Sequence, residues 1–208
     1  MKKKKILLIL IAFSILCAVG SLFIPRHIQT YEPVVQRAPT VEKSSVVQSE
    51  KTFNAYLTGY AYWDNTPPGS GIIAFPDSLR DTAGGTGTYA DPITMAVGHT
   101  ISRDGTDTSD YPPGERFYVP RLHKYFIVED TCGDGRKPQN GACHVLNDEA
   151  IQTGAQAWFD LWIGGGAGDS KTALQECESN ITGTTLVIEN PTKDYTVDSR
   201  PIFPNCLK

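Results

Sequence analysis

Short apolar runs, separated by polar stretches rich in glycine and proline, recur along the chain from about residue 53 onwards. Six of these runs are rich in β-branched and aromatic residues and have the length of strands, which predicts six short β-strands. The runs span residues 53–63, 93–99, 116–120, 125–129, 159–163 and 184–189. Short strands joined by long loops are typical of small closed or nearly closed β-barrels, and such loops can carry function. The chain is therefore predicted to be mainly β.

Helical spacing is clearest in residues 171–179, where Ala173, Leu174 and Cys177 share one face. Asp169 or Ser170 can cap the first turn of this helix. A second short helix is expected between residues 147 and 156. The pattern thus predicts one or two short helices beside the strands.

The first 25 residues have a different character. Four lysines precede an uncharged run of 19 residues from Ile6 to Ile24. A run of this length can cross the hydrocarbon core as a helix, whereas the apolar core of a signal peptide is usually shorter. Small residues at 18–20 also suit a signal peptidase. Residues 1–25 are therefore expected to be a membrane anchor with its basic end in the cytoplasm, or a signal peptide. Either alternative exports the rest of the chain.

Residues 26–52 show no clear helical or strand-like face and are rich in Pro, Gln, Glu, Ser and Val, so they are predicted to be a flexible tether. The remaining segment, residues 53–208, has the length of one ordinary domain. It carries 11 Lys and Arg against 20 Asp and Glu, a net charge of −9. A nucleic-acid-binding domain would be basic. We therefore expect no nucleic-acid partner, and a monomer.

Four cysteines lie in this domain: Cys132, Cys143, Cys177 and Cys206. An even number in an exported domain indicates two disulfides, with three connectivities open. Cys132–Cys143 together with Cys177–Cys206 is the simplest set. A zinc site is the alternative, but the cysteines lack the usual metal-binding spacing. We expect no metal and no cofactor.

Two carboxylates interrupt apolar, strand-like runs: Asp130 follows residues 125–129, and Asp160 lies between Phe159 and Leu161. An aspartate in such a run costs several kcal/mol unless it is hydrogen-bonded, paired or open to a cleft. Apolar surroundings also raise the pKa of a carboxyl, as a general acid that cleaves sugars requires. The two acids therefore indicate a shared site.

Residues 113–119, 129–133 and 159–162 resemble the successive signature elements of the 3D domain, a member of the double-psi β-barrel superfamily. That superfamily also contains the rare-lipoprotein-A-like and expansin-like domains and glycoside hydrolase family 45. The resemblance covers roughly residues 53–164 and implies a six-stranded double-psi β-barrel. One departure is clear: the 3D domain has an aspartate where this chain has Gly98, and His99 or Asp91 is a candidate to compensate.

Glycoside hydrolase family 45 is similar at two further places. Its Tyr-Trp-Asp segment resembles residues 62–64, and its His-Phe-Asp-Leu segment resembles residues 158–161, with Trp158 in place of the histidine. In that family the first aspartate acts as base and the second as acid. The resemblance thus implies Asp64 as base and Asp160 as acid.

Strand alternation places Trp158, Asp160 and Trp162 on one face, where the two indoles would form a floor for a sugar ring and favour the protonated acid. Asp130 is interpreted mainly as a supporting residue. The other candidates for substrate binding are Tyr62, Trp63 and His99. For each candidate a structural role is the alternative: a loop contact for Asp160, a strand-ending turn for Asp64 and core packing for the aromatic residues.

These observations lead to the hypothesis of an exported protein that acts on cell-wall polysaccharide, of peptidoglycan or β-glucan type, as a glycoside hydrolase or lytic transglycosylase. Two rival interpretations need no acid/base pair. The first is a non-catalytic, expansin-like module that binds or loosens the wall. The second is a secreted inhibitor or interaction protein on the same barrel.

Overall fold

The computed structural model describes residues 49–206. The expected anchor or signal peptide, and all but the last residues of the expected tether, lie outside the described residues. Within residues 49–206, no helix is long and apolar enough to cross a membrane.

Seven strands and three α-helices form within the described range. The strands are β1 (Lys51–Tyr60), β2 (Ile93–Ile101), β3 (Asp107–Ser109), β4 (Arg116–Val119), β5 (Lys124–Cys132), β6 (Ala157–Trp162) and β7 (Gly183–Glu189). The α-helices are α1 (Asp148–Gln152), α2 (Lys171–Ile181) and α3 (Ile202–Asn205). Two short 3-10 helices cover Pro120–Leu122 and Pro138–Asn140.

Six of the strands close into a barrel. Their order is β2-β5-β4-β7-β1-β6, and β6 pairs back onto β2. The β1–β6 and β2–β5 pairs are parallel, and the other pairs are antiparallel. The short β3 pairs with β2 outside this ring. The predicted mainly β fold with a closed six-stranded barrel and a few short helices is therefore confirmed.

Alternation along the strands separates the core from the site. Phe53, Ala55 and Leu57 of β1 pack in the main core with Phe159 and Leu161 of β6. Successive side chains of a strand point to opposite faces, so the residues of β6 on either side of Phe159 point away from the main core. This alternation places Trp158 and Asp160 on the face of β6 that carries the site.

The element boundaries differ from the sequence prediction at β1. The strand ends at Tyr60 rather than Trp63, because the N–H of Ala61 donates to the Asp64 carboxylate (2.6 Å) instead of continuing the ladder. The strand β3 was not predicted, because its three residues, Asp107–Ser109, form a short polar segment without an apolar run.

Both predicted helices are present in the structure, and each begins directly after a residue whose side chain caps its first turn. Ser170 accepts a hydrogen bond from the N–H of Ala173 at the start of α2, and this helix extends to Ile181. Asn147 caps α1 in the same way through the N–H of Ala150.

A long loop between β1 and β2 is tied to the barrel by buried polar contacts. Glu129 is fully buried, accepts a hydrogen bond from Thr94 (2.7 Å) and pairs with Arg80 of the loop (3.2 Å). The N–H of Phe75 donates to the carbonyl oxygen of Glu129 (2.9 Å). These contacts offset part of the desolvation of Glu129, whose pKa is still raised by burial, and fix the loop beside the end of β5.

Two disulfides join Cys132 to Cys143 and Cys177 to Cys206. This is the simplest of the three connectivities. The first closes the loop after β5, and the second links α2 to the C-terminal segment.

Candidate active site

A cleft of about 370 Å³ brings four of the predicted site residues together: Asp64, Asp130, Asp160 and His99. Its walls come from the end of β1 and the loop after it, from β2 and β6, and from the end of β5 and the loop after it. Four carboxylates line this small cleft, the fourth being that of Asp134, and they give it a strongly acidic character, so at least one of them is favoured in its protonated form.

Asp160 lies on β6 between two partner strands, opposite Thr58 of β1 and Ala96 of β2. Its side chain is partly buried, and one oxygen, Oδ1, accepts a hydrogen bond from the Thr58 hydroxyl (2.7 Å). Burial raises the pKa of Asp160 to about 7, with contributions from the charges of Asp64 and Asp130, while the Thr58 hydrogen bond opposes the rise. Asp160 therefore has the protonation behaviour of a general acid near neutral pH.

Trp158 fixes the direction of the Thr58 hydroxyl. Its indole Nε1–H donates to Thr58 Oγ1 (3.0 Å). A hydroxyl has a single proton to donate, and that proton is directed at Asp160. Sequence reasoning missed Thr58, because its contact with Asp160 depends on the register between two strands about a hundred residues apart.

Asp64 lies in the turn after β1 and is exposed. One oxygen accepts the hydrogen bond from Ala61 N–H that closes the turn. Partial desolvation of the carboxyl in the turn raises its pKa above the usual value, although the backbone hydrogen bonds counteract this rise. The residue thus takes part in the strand-ending turn and also lines the cleft.

Asp130 is buried and accepts three hydrogen bonds. The donors are the Tyr60 hydroxyl (2.9 Å), the N–H of Ala74 (3.0 Å) and the N–H of Thr131 (2.9 Å). Burial raises the pKa of Asp130, and these donors oppose the rise. Because both oxygens are occupied by the protein and one donor belongs to the long loop, the geometry favours the supporting role.

His99 is buried at the edge of the cleft with both ring nitrogens engaged. Nδ1 is 2.8 Å from the Asp107 carboxylate, and Nε2 is 3.0 Å from the Gly133 carbonyl oxygen. Burial lowers the pKa of His99, but the Gly133 carbonyl and the Asp107 carboxylate outweigh it, so the net shift is upward. The ring supplies positive charge near Asp130 but has no free nitrogen for a substrate.

The predicted aromatic floor does not form beside Asp160. Trp162 is buried against the Tyr60 ring (5.3 Å), and Trp158 lines a different cleft. Tyr62 and Trp63 are half-buried and contact each other edge to face (5.1 Å) next to Asp64. Strand parity put Trp158, Asp160 and Trp162 on one face, but neighbouring side chains turn both indoles away from this cleft.

Glu178 is an acid that sequence reasoning missed. It lies half-buried on α2. Burial raises the pKa of Glu178 to about 7, and the charges of Asp64 and Asp160 add to the rise. In the sequence, Glu178 is simply a glutamate that follows Cys177 on a predicted helix, and such a side chain is usually solvated. The packing of α2 against β1 is what couples Glu178 to the cleft.

Within residues 49–206, no three His, Cys, Asp or Glu side chains converge closely enough to hold a metal ion. Asp64, Asp130 and Asp160 instead each accept hydrogen bonds from their own protein donors. Proton transfer is the chemistry that these residues can perform directly.

Comparison with known proteins places the chain among proteins that carry the same domain. The chain is 35% identical over 167 residues to Uncharacterized protein DDB_G0273701/DDB_G0273221 of Dictyostelium discoideum. The aligned region covers 77% of this chain and 63% of that relative, so the chain spans less than two thirds of the relative's length. No solved structure matches the chain. Residues 52–207, which include the barrel and the cleft, match the family described as the DDB_G0273701 N-terminal domain, and the chain belongs to this family.

Proposed function

We propose that the protein cleaves a cell-wall polysaccharide, with Asp160 as general acid and Asp64 as general base. The observation that carries this proposal is that both carboxyls line one cleft, where the pKa of Asp160 is raised to about 7. Sugar-cleaving enzymes assign the acid and base roles to two carboxyl groups whose pKa values differ because their environments differ.

In the proposed reaction, Asp160 donates its proton to the glycosidic oxygen as the bond to the sugar breaks. Thr58 holds Oδ1, so the second oxygen of Asp160 is the one that faces the substrate. In a hydrolase, Asp64 accepts a proton from water as the water attacks the sugar carbon. In a lytic transglycosylase, an internal sugar hydroxyl takes the place of water, and Asp64 accepts its proton instead.

Barrel topology supports a place in the double-psi β-barrel superfamily. Two parallel strand pairs, β1–β6 and β2–β5, lie within one closed ring of six strands. The segments that resemble the 3D domain and family 45 provide Asp130 and Asp160 at the cleft. On this proposal the Asp64 segment corresponds to the base segment of family 45, and the Asp160 segment corresponds to its acid segment.

An exported location accompanies this function. Two disulfides within one domain are typical of proteins that fold in an oxidising compartment. The acidic surface suits a neutral glycan better than a phosphate-rich partner. The expected N-terminal anchor would hold the domain at the membrane, next to the wall.

A wall-binding module without catalysis is the second candidate. The half-buried pair of Tyr62 and Trp63 beside Asp64 favours it, because such rings can stack on sugars without any acid/base chemistry. Binding of insoluble peptidoglycan, cellulose or chitin without new reducing ends would support this candidate. Absence of any polysaccharide affinity would favour an inhibitor or interaction protein.

The test of the proposal is the Asp160→Asn variant. Asn keeps the size of the side chain and its bond from Thr58 but cannot donate an acid proton, so release of soluble sugar should be lost while the protein stays folded. Asp77→Asn is the matched control, because Asp77 is exposed and lies outside the cleft. Sugar release by Asp160→Asn at the wild-type rate would overturn the proposal.

A further inference from the structure

A second cleft, of about 230 Å³, lies beside the first and contains a histidine–carboxylate pair that the proposed reaction does not use. Asp110 and His144 form the pair, and Trp158 is part of the wall. Tyr111, Leu146 and Gln156 also line this cleft. The cleft therefore sets the Tyr111 and Trp158 rings beside several polar groups, which make up most of its accessible lining.

Asp110 holds His144 in one orientation. The Nδ1 atom of His144 is 2.9 Å and 2.8 Å from the two carboxylate oxygens of Asp110. The side chains are 32% and 29% exposed. Within residues 49–206, no group is hydrogen-bonded to Nε2 of His144. When Nδ1–H donates to Asp110, the lone pair of Nε2 faces the cleft and can accept a hydrogen bond from a hydroxyl.

Several features of the backbone hold Asp110 and His144 next to each other. The first is the absence of a side chain at Gly98. A Cβ at residue 98 would lie 2.4 Å from Oδ2 of Asp110 and 2.8 Å from the Cα of His144. Only glycine therefore permits this close approach. The same contact explains why this chain lacks a side-chain acid at position 98.

The loop that carries His144 is fixed as well. Cys143, directly before it, has a left-handed backbone (φ 64°) and is bonded to Cys132, which pairs with Gly98. The N–H of Asp110 donates to the Gly98 carbonyl oxygen (2.8 Å). A glycine, a left-handed residue and a disulfide thus converge on one His–Asp pair.

The second cleft continues the first along the β2–β6 pair. Asp160 is opposite Ala96, and extending this antiparallel register by two residues puts Gly98 beside Trp158. Two residues along a strand are roughly 7 Å, about the size of one sugar unit. Two consecutive hydrogen bonds, from Trp158 to Thr58 and from Thr58 to Asp160, connect the two clefts.

We infer that the Asp110–His144 cleft is a second sugar-binding subsite, which holds the neighbouring unit of the polysaccharide bound at Asp160. This inference rests on the proposed function. His144 Nε2 accepts a hydrogen bond from a ring hydroxyl, and the Trp158 indole packs against the sugar. Subsites in a row let the protein bind an extended chain in preference to a single sugar.

The first experiment measures the binding of cellohexaose and chitohexaose to the full chain that carries Asp160→Asn, so that the probes stay intact. Adding His144→Ala should weaken binding of whichever hexasaccharide binds by roughly tenfold, the effect of losing one well-placed hydrogen bond. His123→Asn is the control, since this exposed histidine has a left-handed backbone that Asn tolerates. Unchanged affinity after His144→Ala would overturn the subsite.

A second measurement needs no change at His144. The chain has three tryptophans, so the indole N–H signal of Trp158 can be assigned with Trp158→Phe and followed during the titration. We expect the hexasaccharide to shift this signal and the ring signals of His144. Shifts confined to residues of the Asp160 cleft would remove the second subsite and leave the proposed function standing. Absence of binding by both sugars would contradict the second subsite, whereas the proposed function is decided separately by sugar release from peptidoglycan, cellulose and chitin.

Discussion

The hydroxyl of Thr58 donates a hydrogen bond to Oδ1 of Asp160 over 2.7 Å. Thr58 in turn accepts the indole N–H of Trp158, so its single proton has a fixed direction. One oxygen of Asp160 is therefore held by the barrel, and the other is left to the cleft. This arrangement sets both the orientation and the acidity of the proposed acid.

Replacing Thr58 by Val should raise the pKa of Asp160 by roughly one pH unit, because the hydrogen bond that favours the carboxylate is lost. NMR titration of the Asp160 carboxyl carbon measures this directly. Thr108→Val is the control, since Thr108 is an exposed strand residue away from the cleft. A pKa of Asp160 that stays constant or falls would contradict the role of Thr58.

Asp160 should make the protein less stable as the pH rises. Its pKa is about 7 in the folded protein and 3.8 in the unfolded chain, so between these pH values the folded state binds more protons than the unfolded state. Stability is therefore highest at low pH with respect to this group and falls until the pH exceeds about 7. Asp160→Asn removes this penalty, so above neutral pH the unfolding free energy of the variant should exceed that of the wild type by on the order of 4 kcal/mol.

Urea unfolding of both proteins across the pH range tests this prediction. The difference in unfolding free energy should be smallest near the lower end of the window and grow as the pH rises. A wild type that is as stable as Asp160→Asn above neutral pH would mean that Asp160 ionises without penalty.

Glu178→Gln should lower the pKa of Asp160, in the opposite direction to Thr58→Val. The charges of Asp160 and Asp64 help to raise the pKa of Glu178, and an electrostatic interaction between two groups acts on both. If the reaction requires protonated Asp160, the alkaline limb of the pH–rate profile should move to lower pH. Glu176→Gln, on the exposed part of the same helix, is the control. A limb that moves equally in both variants would exclude a specific effect of Glu178.

Removing the Cys132–Cys143 disulfide should affect both clefts. The bond closes the loop that contributes Gly133 and Gly135 to the first cleft and His144 to the second. Substitution of both cysteines by serine should lower the unfolding free energy by roughly 3 kcal/mol and weaken oligosaccharide binding. Substitution of the Cys177–Cys206 pair should lower stability without the same loss of binding, which calorimetry can compare. Equal binding losses in the two double variants would contradict this assignment.

The barrel and part of the site could be predicted from the sequence, because they depend on local pattern. Alternation and turn residues gave the six barrel strands, and the capping residue Ser170 gave α2. The apolar runs around Asp130 and Asp160 and the motif resemblance at Asp64 selected three acids, which the structure brings into one cleft.

The contacts that set acidity and position depend instead on register and packing between distant segments. Thr58 meets Asp160 only through the parallel β1–β6 register, and Glu178 acts through the docking of α2. The Asp110–His144 pair requires a close approach over Gly98 that no local pattern reveals. The indoles of Trp158 and Trp162 lie on the expected strand face, but neighbouring rings decide their direction.

The proposed cleavage of wall polysaccharide depends on Asp160 as a protonated acid. The most direct measurement is the initial rate of reducing-end release from peptidoglycan, cellulose and chitin as a function of pH, for the wild type and Asp160→Asn. We expect the wild type to release reducing ends from one of these substrates, at a rate that declines as the pH rises past about 7, and the variant to release none. A variant with the wild-type rate and pH profile would contradict this role of Asp160.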